Sequence, residues 1–195
     1  MGCKASVFIF DQEDGDEGLS FFSKHELRIV CDMEEKSLKW ELIQTEFSVL
    51  AAYVERRFAA HEHHVLATVR SDGRPRVSGT NVMFTNGAMW IGMMPAALRA
   101  ADLLNSPYCA LHSAPLNEKL PKGEGDVRIN AVARELSSDE ARELFFAKFP
   151  DADDVMPGKF FELLTNDFSI VEVDNEEIVL TRWSAISGVE VTRHQ

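Results

Sequence analysis

The sequence predicts a mainly β protein, built from antiparallel strands with helices at its ends and between them. Two observations carry this prediction: apolar residues alternate with polar ones over several short segments, and tight-turn sequences join neighbouring segments. A third is that few connections are long enough to link parallel strands. The pattern therefore favours a barrel or sandwich of six or seven strands over a doubly wound parallel sheet.

The composition is typical of a globular protein with one hydrophobic core. The chain has 195 residues, of which 45% are hydrophobic and 27% are charged, and this length suits one domain better than two. The net charge of −12 disfavours a nucleic-acid partner, because an acidic surface repels phosphates and the arginines form no basic patch. No apolar run reaches the roughly 18 residues of a membrane-spanning helix. We therefore expect a small-molecule substrate, and neither a nucleic acid nor a membrane as partner.

Residues 1–32 differ in character from the rest of the chain. Short apolar runs flank an acidic stretch at 11–18, and neither a helical nor a strand period persists. We interpret them as a disordered extension, or as the product of a start codon assigned upstream of a native start at Met33. The folded domain is then 33–195. The three cysteines, Cys3, Cys31 and Cys109, are odd in number and widely spaced; free thiols suit a reducing compartment, so we expect a cytoplasmic protein.

The first ordered element is an amphipathic helix near residues 40–58. Its apolar positions recur at helical spacing and would cover one side of a sheet; they are Ile43, Phe47, Leu50, Val54 and Phe58. The period then changes to two, which is typical of strands. The predicted strands are 64–70, 76–85, 88–93, 108–112, 127–133, 168–173 and 178–183. A turn at 71–73 joins the first two, and Asn86-Gly87 closes the next hairpin because both residues accept positive φ.

Helices separate some of these strands. Pro95 predicts the start of a helix at 96–105, since its fixed φ suits a first helical turn, and Pro107 ends that helix. A capping box formed by Ser137 and Glu140 predicts a second helix that ends near Phe149. The segment 160–164 fits either a short strand or a helix.

Common nucleotide-binding and hydrolase motifs are absent from the sequence. There is no GxxxxGK[ST] loop, no GxSxG elbow and no GxGxxG between a strand and a helix. His61, His63 and His64 could bind a metal, but their spacing is not that of HExxH, and the favourable position of histidine at a helix C-terminus explains them better. We predict no metal site, and the sequence identifies no catalytic acid or base.

Three arginines are suited to bind a phosphate without a glycine-rich loop. Arg74 and Arg76 surround the start of a predicted strand, and Arg99 lies in the first turns of the helix at 96–105. Guanidinium groups beside a helix N-terminus are good phosphate ligands. On spacing alone, three solvated surface arginines are the alternative. The neighbouring Met93 and Met94 fit either the core or the wall of a site for a flat ring.

A family resemblance appears at these residues. Residues 63–115 read HHVLATVRSDGRPRVSGTNVMFTNGAMWIGMMPAALRAADLLNSPYCALHSAP. In order, this segment is a strand, a DGRP turn, a strand with V-S, a hairpin, a strand and a helix bearing a cation. It resembles the pyridoxamine 5'-phosphate oxidase-like family of FMN-binding split barrels, and the resemblance extends more weakly over residues 40–183.

The resemblance implies a six-stranded antiparallel split β-barrel that forms a homodimer, with two flavin sites at the interface. It implies that Arg76 and Arg99 hold the flavin phosphate. The strand segments Val77–Ser78 and Ile91-Gly92-Met93 would line the isoalloxazine ring. Trp183 and Arg193 resemble a Trp and an Arg near the C-terminus that reach the flavin in true oxidases.

Two departures from the family pattern limit what is implied. A serine that contributes a phosphate contact in the family is Ala97 here, and the C-terminal R-x-H-x-R motif of true pyridoxamine phosphate oxidases is absent. Oxidation of vitamin B6 is therefore disfavoured. FMN is the expected cofactor, and other members of the family use a deazaflavin coenzyme or bind haem.

Three functions follow, in order of preference. The first is an FMN- or deazaflavin-dependent oxidoreductase acting on an unknown small molecule. The second is a non-enzymatic protein or sensor that holds flavin or haem; the cluster His61–His64 and His112 would favour haem. The third is an interaction module that has lost its cofactor, which is supported by Ala97 and by the unusual N-terminal segment 1–32.

Overall fold

The computed structural model describes residues 37–115, 124–174 and 177–194, so the predicted extension at 1–32 lies outside the described residues. Four helices occur in the described part of the chain: α1 Trp40–Glu46, α2 Ser48–Ala59, α3 Leu98–Asn105 and α4 Ser138–Lys148. The nine strands found there are β1 His64–Val69, β2 Pro75–Thr80, β3 Met83–Thr85, β4 Ala88–Met93, β5 Tyr108–His112, β6 Gly125–Glu135, β7 Lys159–Asp174, β8 Glu177–Ser184 and β9 Gly188–His194. No helix among these residues is both long and apolar enough to cross a membrane.

All paired strands are antiparallel, in the order β2-β1-β5-β6-β7-β4-β3. β8 pairs with the second part of β7, and β9 follows β8 as a hairpin. β7 is 16 residues long: its first residues pair with β4 and its last ones with β8. The segment 160–164, which the sequence left open, is therefore a strand.

The two ends of the strand order meet at one point. β2 begins the order and β3 ends it, yet only Asn81 and Val82 separate them in sequence. A link of this length spans only about 10 Å, so the sheet must curl until its two edges meet there. Among the described residues no ladder joins β2 to β3, which leaves the curled sheet open along that line. The predicted fold class, an antiparallel split barrel with flanking helices, is confirmed.

The described part of the chain contains nine strands, whereas the resemblance implied six. The predicted strand at 76–85 is two strands, because the chain leaves one sheet edge at Asn81 and Val82 to reach the other. β9 has no counterpart in the prediction. Most of its side chains are exposed, and its apolar alternation is limited to Val189 and Val191.

The predicted first helix is also two helices. Phe47 has φ −131° and ψ 47°, which interrupts the helix between α1 and α2. The apolar pattern continues across the break because both halves bury side chains in the same core. Trp40 and Ile43 come from α1, and Val54 and Phe58 from α2.

Strand register separates the two faces of the sheet. One row of directly paired residues crosses six strands and points into the core; it consists of Ser78, Leu66, Leu111, Ile129, Phe168 and Trp183. The adjacent row points outward and consists of Val77, Ala67, Ala110, Asn130 and Asp167. Because side chains alternate along a strand, neighbours in sequence such as Val77 and Ser78 lie on opposite faces.

Candidate functional site

A cleft opens at the split, where the end of β2 meets β3 and β4. Its volume is about 480 Å³, within the roughly 300–1,000 Å³ of small-molecule sites. The remaining walls come from the start of α3, the end of α4 and the first residues of β7 with the segment before them. Its lining residues are His63, Gly79, Thr80, Asn81, Met83, Trp90, Gly92, Met93, Met94, Arg99, Phe145, Phe149, Met156, Pro157, Gly158 and Phe160.

Arg99 is the guanidinium group that lines this cleft. Its Nε is buried and has no hydrogen-bond partner among the described residues. Arg99 lies in the first turn of α3, whose N-cap residue, Ala97, provides no side-chain cap. The first backbone N–H groups of a helix have no intrahelical acceptor, and they carry partial positive charge. The start of α3 therefore presents unpaired donors suited to an anion.

Arg76 is held against the same helix by an acidic partner. Its Nε donates to Asp102 Oδ2 at 2.6 Å, and the Thr68 hydroxyl donates to the same oxygen at 2.8 Å. The hydrogen bond from Arg76 is the main cause that lowers the pKa of Asp102 below its ordinary value, and it raises the pKa of Arg76. The two terminal nitrogens of Arg76 have no partner in the described part of the chain.

The structure thus brings Arg76 and Arg99 to one helix. Asp102 follows Arg99 by three residues on α3, and residues at this spacing are neighbours on a helix surface. Arg76 does not line the cleft itself. Arg74, the third candidate, is turned toward Asp72, with its Nη2 2.6 Å from Asp72 Oδ2, and is not part of this arrangement.

Val77 and Ser78 occupy opposite faces of β2. Val77 is 70% exposed on the outer face. Ser78 points inward, and its hydroxyl is buried without a partner among the described residues. Neither side chain lines the cleft, so their assignment to a flavin stays a prediction.

The strand Ile91-Gly92-Met93 contributes two of its three residues to the cleft. Gly92 and Met93 line it, whereas Ile91 is fully buried in the core. A Cβ added to Gly92 would lie 3.0 Å from the ring of Phe160. A side chain at this position would therefore press on the aromatic lining of the cleft.

Trp183 and Arg193 lie away from the cleft. The Trp183 ring is 1% exposed, stacks on Phe168 at 5.1 Å between centroids, and meets Phe47 edge-on at 5.6 Å. Arg193 forms surface ion pairs with Glu177 at 3.3 Å and Asp174 at 3.7 Å. Within one chain, neither residue reaches a ligand in the cleft, so their proposed roles gain no support from this geometry.

The side chains of His63, His64 and His112 have three different surroundings. His63 lines the cleft, with Nδ1 3.0 Å from Asn81 Oδ1. His64 is buried, accepts a hydrogen bond from the Ala114 amide, and has its pKa lowered chiefly by burial. His112 points to the outer sheet face. No group of three or more His, Cys, Asp or Glu side chains in the described segments is arranged to hold a metal ion.

Sequence reasoning missed two parts of the site. The first is Asp102, whose role depends on a contact with a residue 26 positions earlier. The second is an aromatic wall, formed by Trp90, Phe145, Phe149 and Phe160, whose ring centroids lie 5.0–6.3 Å apart in successive pairs. The apolar content at the end of α4 is visible in the sequence, but nothing local indicates that it faces a cleft.

Comparisons with known proteins agree with this architecture. The family model described as pyridoxamine 5'-phosphate oxidase matches residues 51–179, which are 129 of the 195 residues. No curated protein sequence matches this chain significantly.

Solved structures share the fold at low sequence identity. PhzG from Burkholderia lata 383, in complex with tetrahydrophenazine-1-carboxylic acid, is 13% identical, with 84% of this chain and 94% of that chain covered and a TM-score of 0.56. A pyridoxamine 5'-phosphate oxidase-related, FMN-binding protein from Nostoc punctiforme is 13% identical, with coverages of 76% and 95% and a TM-score of 0.52. HutZ, a haem storage protein from Vibrio cholerae, is 16% identical, with coverages of 59% and 89%; its TM-score of 0.46 is too low to support an argument.

Proposed function

The chain belongs to the pyridoxamine 5'-phosphate oxidase family, and on this premise we propose that it binds FMN in the cleft at the split and serves as an oxidoreductase for a small molecule. The observation that carries the proposal is the unpartnered Nε of Arg99 beside the uncapped start of α3. These donors are suited to an anion, and they lie at the edge of a cleft that is also lined by the rings of Trp90 and Phe160.

The residues present fit the two chemical parts of FMN. A phosphate needs cationic or N–H donors without partners, which Arg99 and the first turn of α3 provide. Arg76 would add its free terminal nitrogens, with Asp102 fixing the orientation of the guanidinium. A planar ring needs apolar surfaces, which Met93, Trp90 and Phe160 provide.

The protein's own contribution to the reaction would be binding and orientation. A bound flavin supplies the redox chemistry, while the surrounding residues hold it and exclude water. No carboxylate or lysine lines the cleft in the described part of the chain. We therefore assign no proton transfer to a side chain.

We propose further that the active form is a homodimer in the cytoplasm. The outer sheet face, the surface around Val77, Ala67, Ala110, Asn130 and Asp167, carries two depressions of about 370 and 410 Å³. Its small central side chains allow close approach of a second sheet. Arg128 and Asp167 both border the first depression and could form reciprocal pairs across a two-fold axis. The proposed cytoplasmic location rests on the odd number and wide spacing of the three cysteines in the sequence; Cys109, the one within the described residues, is a free, buried thiol.

The test is a titration of the full-length purified protein followed by absorption spectroscopy. We expect FMN to bind with a perturbed flavin spectrum, and riboflavin, which lacks the phosphate, to bind at least tenfold more weakly. A deazaflavin coenzyme that binds more tightly than FMN would identify that coenzyme as the cofactor. Equal affinities for FMN and riboflavin would contradict the anion site.

A second titration distinguishes an enzyme from a storage or sensing protein. His63 is the histidine of the cleft, and its Nε2 has no partner among the described residues, so haemin is titrated alongside the flavins. A haem Soret band that is lost in His63→Ala would favour a haem-binding function. Tight FMN binding without turnover by nicotinamide donors would favour a non-enzymatic flavin protein.

A further inference from the structure

A guanidinium group joins α4 to the sheet. Arg134, near the end of β6, donates from Nε and Nη2 to Glu162 Oε2 on β7, at 3.0 and 2.6 Å. Its third nitrogen, Nη1, donates to Glu140 Oε1 in the first turn of α4 at 2.8 Å. One side chain on β6 thus binds both β7 and α4.

The carboxylate of Glu162 is the buried member of this network. Glu162 is 4% exposed, whereas the side chains of Arg134 and Glu140 are 40% and 43% exposed. Glu162 borders a depression of about 160 Å³ that is also lined by Glu140, Glu143 and Leu144, so α4 lies against it. A buried carboxylate is tolerated when it is paired, and removal of its partner leaves an uncompensated charge. Without Arg134, water would have to reach Glu162 beneath the start of α4.

One row of the sheet leads from this ion pair to the cleft. The row consists of directly paired residues on β6, β7, β4 and β3, which are Arg134, Glu162, Trp90 and Met83. Their side chains therefore lie on one face of the sheet, and Trp90 and Met83 line the cleft. α4 packs on this face, because its Phe145 belongs with Trp90 to a small buried cluster that is separate from the main core.

The attachment of α4 determines where two residues of the aromatic wall lie. Phe145 and Phe149 follow Glu140 by five and nine residues along the chain, and their ring centroids lie 5.0 Å apart. Phe145 also meets Phe160 of β7 edge-on at 6.3 Å. A helix is a stiff element over nine residues, about 14 Å, so a shift at its first turn moves both rings.

We propose that Arg134 is a positioning residue for the cleft and acts through α4. Its ion pairs keep Glu162 buried and hold the helix on the sheet, which sets where Phe145 and Phe149 lie beside the ring of a bound flavin. The inference rests on the proposed function, because it takes the aromatic wall as a surface that contacts this ring. Arg134 does not line the cleft. Its contacts with α4 lie within one chain, so they hold whatever a second copy adds to the site.

The test compares the full-length parent with Arg134→Gln in titrations with FMN and with riboflavin, followed by flavin fluorescence. We expect Arg134→Gln to raise both Kd values at least fivefold and by the same factor, because the two ligands share the ring and differ in the phosphate. Arg142→Gln is the matched control, since it removes the same charge at an arginine of α4 whose partner, Asp154, is exposed. It should leave both Kd values within twofold of the parent.

Two further measurements distinguish positioning from a general loss of stability, which would lower the free energy of unfolding without changing the Kd of the folded protein. The double variant Arg134→Gln with Glu162→Gln has no buried charge, so both Kd values should return to within threefold of the parent. In protein without flavin, NMR contacts between the rings of Phe145 and Phe160 should weaken in Arg134→Gln and return in the double variant. Contacts that stay unchanged in Arg134→Gln would contradict a shift of α4.

Arg134→Lys provides the test if Arg134→Gln does not fold. A lysine keeps a cation beside Glu162, but it has no planar fork to hold two carboxylates at once. We therefore expect Arg134→Lys to raise the Kd of both flavins at least threefold.

The outcomes separate this inference from the function on which it rests. A parent protein that binds neither flavin overturns the proposed function, and this inference with it. Flavin binding in the parent that is unchanged in Arg134→Gln, or in Arg134→Lys where that variant replaces it, overturns only the role of Arg134. A loss confined to FMN, or an equal loss in Arg142→Gln, would assign the effect to charge and overturns that role as well.

Discussion

At the scale of single residues, the proposed function depends most on the Arg99 side chain. Its Nε is buried without a partner among the described residues, and an unpaired buried donor of a charged group costs free energy. That cost is offset when an anion occupies the cleft. We therefore expect Arg99 to contribute more to the proposed ligand-bound state than to the stability of the fold without a ligand.

Arg99→Ala is expected to weaken FMN binding at least tenfold, which corresponds to about 1.4 kcal/mol. The loss should be confined to ligands with a phosphate, so the affinity for riboflavin should stay constant. Fluorescence titration of both flavins measures this. Arg182→Ala is the control, because Arg182 is an exposed arginine on β8; a similar loss of FMN affinity there would attribute the effect to net charge rather than to Arg99.

Asp102 is a second residue with a testable role, since it anchors Arg76 to α3. Asp102 is 6% exposed and accepts hydrogen bonds from Arg76 and Thr68. Asp102→Ala is expected to lower the free energy of unfolding by about 2 kcal/mol, the range for hydrogen bonds to charged groups. Urea denaturation measures this change in the free energy of unfolding. The control is Asp153→Ala, which removes an exposed carboxylate. Its free energy of unfolding should stay within about 0.5 kcal/mol of that of the parent.

The same ion pair predicts a pH dependence of known sign. The folded protein holds the pKa of Asp102 below its ordinary value, chiefly through the hydrogen bond from Arg76. The stabilisation from this ion pair is complete above the pKa of Asp102 in the unfolded chain, which is about 3.9. It is lost as the pH falls toward the lower pKa of Asp102 in the folded protein. The difference in unfolding free energy between the parent and Asp102→Ala should therefore narrow below about pH 4. A difference that widens in acid would contradict the assigned ion pair.

At the scale of elements, α4 begins with the capping box that its sequence predicts. The Ser137 hydroxyl accepts from the Glu140 amide at 3.3 Å, and Glu140 accepts from the Ser137 amide at 2.9 Å. Ser137→Ala should lower the free energy of unfolding by about 1 kcal/mol, as measured by urea denaturation. Ser138→Ala, at the first helical position, is the neighbouring control and should have a smaller effect. Equal losses would argue against a cap at Ser137.

Glu140 adds a pH signature to this helix start. The backbone N–H of Ser137, followed by the guanidinium of Arg134, lowers the pKa of Glu140 to about 2. The contribution of its carboxylate to stability is present above the ordinary value near 4.5 and is lost as the pH falls toward 2. Glu140→Gln should therefore be less stable than the parent at neutral pH, with the two converging in acid. Chemical-shift titration of Glu140 would measure the pKa directly.

At the scale of the whole molecule, the outer sheet face is the surface assigned to the proposed homodimer. Ala110 lies at its centre, paired with Ala67 on one side and Asn130 on the other. Ala110→Glu is expected to convert a dimer to a monomer in sedimentation, because a charge there would be buried between two sheets. Val49→Glu, on α2, is the control and should remain dimeric. A parent protein that sediments as a monomer at micromolar concentration would refute the dimer.

Much of the secondary structure follows from the sequence, because it depends on neighbours along the chain. The apolar alternation predicts β1, β4 and β5 closely, and Asn86 and Gly87 adopt the positive φ values, 49° and 74°, that their hairpin requires. The capping box of α4 and the position of Arg99 at the start of α3 likewise follow from the local sequence. In each case the decisive interaction joins residues a few positions apart.

The tertiary structure alone decided how these elements form a site. The meeting of β2 with β3, the ion pair of Arg76 with Asp102, and the exposure of Phe149 beside a cleft all depend on how far the sheet curls. Trp183 shows the same dependence, since its position in a strand predicts alternation but not that its ring packs in the core. Periodicity reports which side chains are buried, and it carries no information about which distant surfaces the curled sheet brings together.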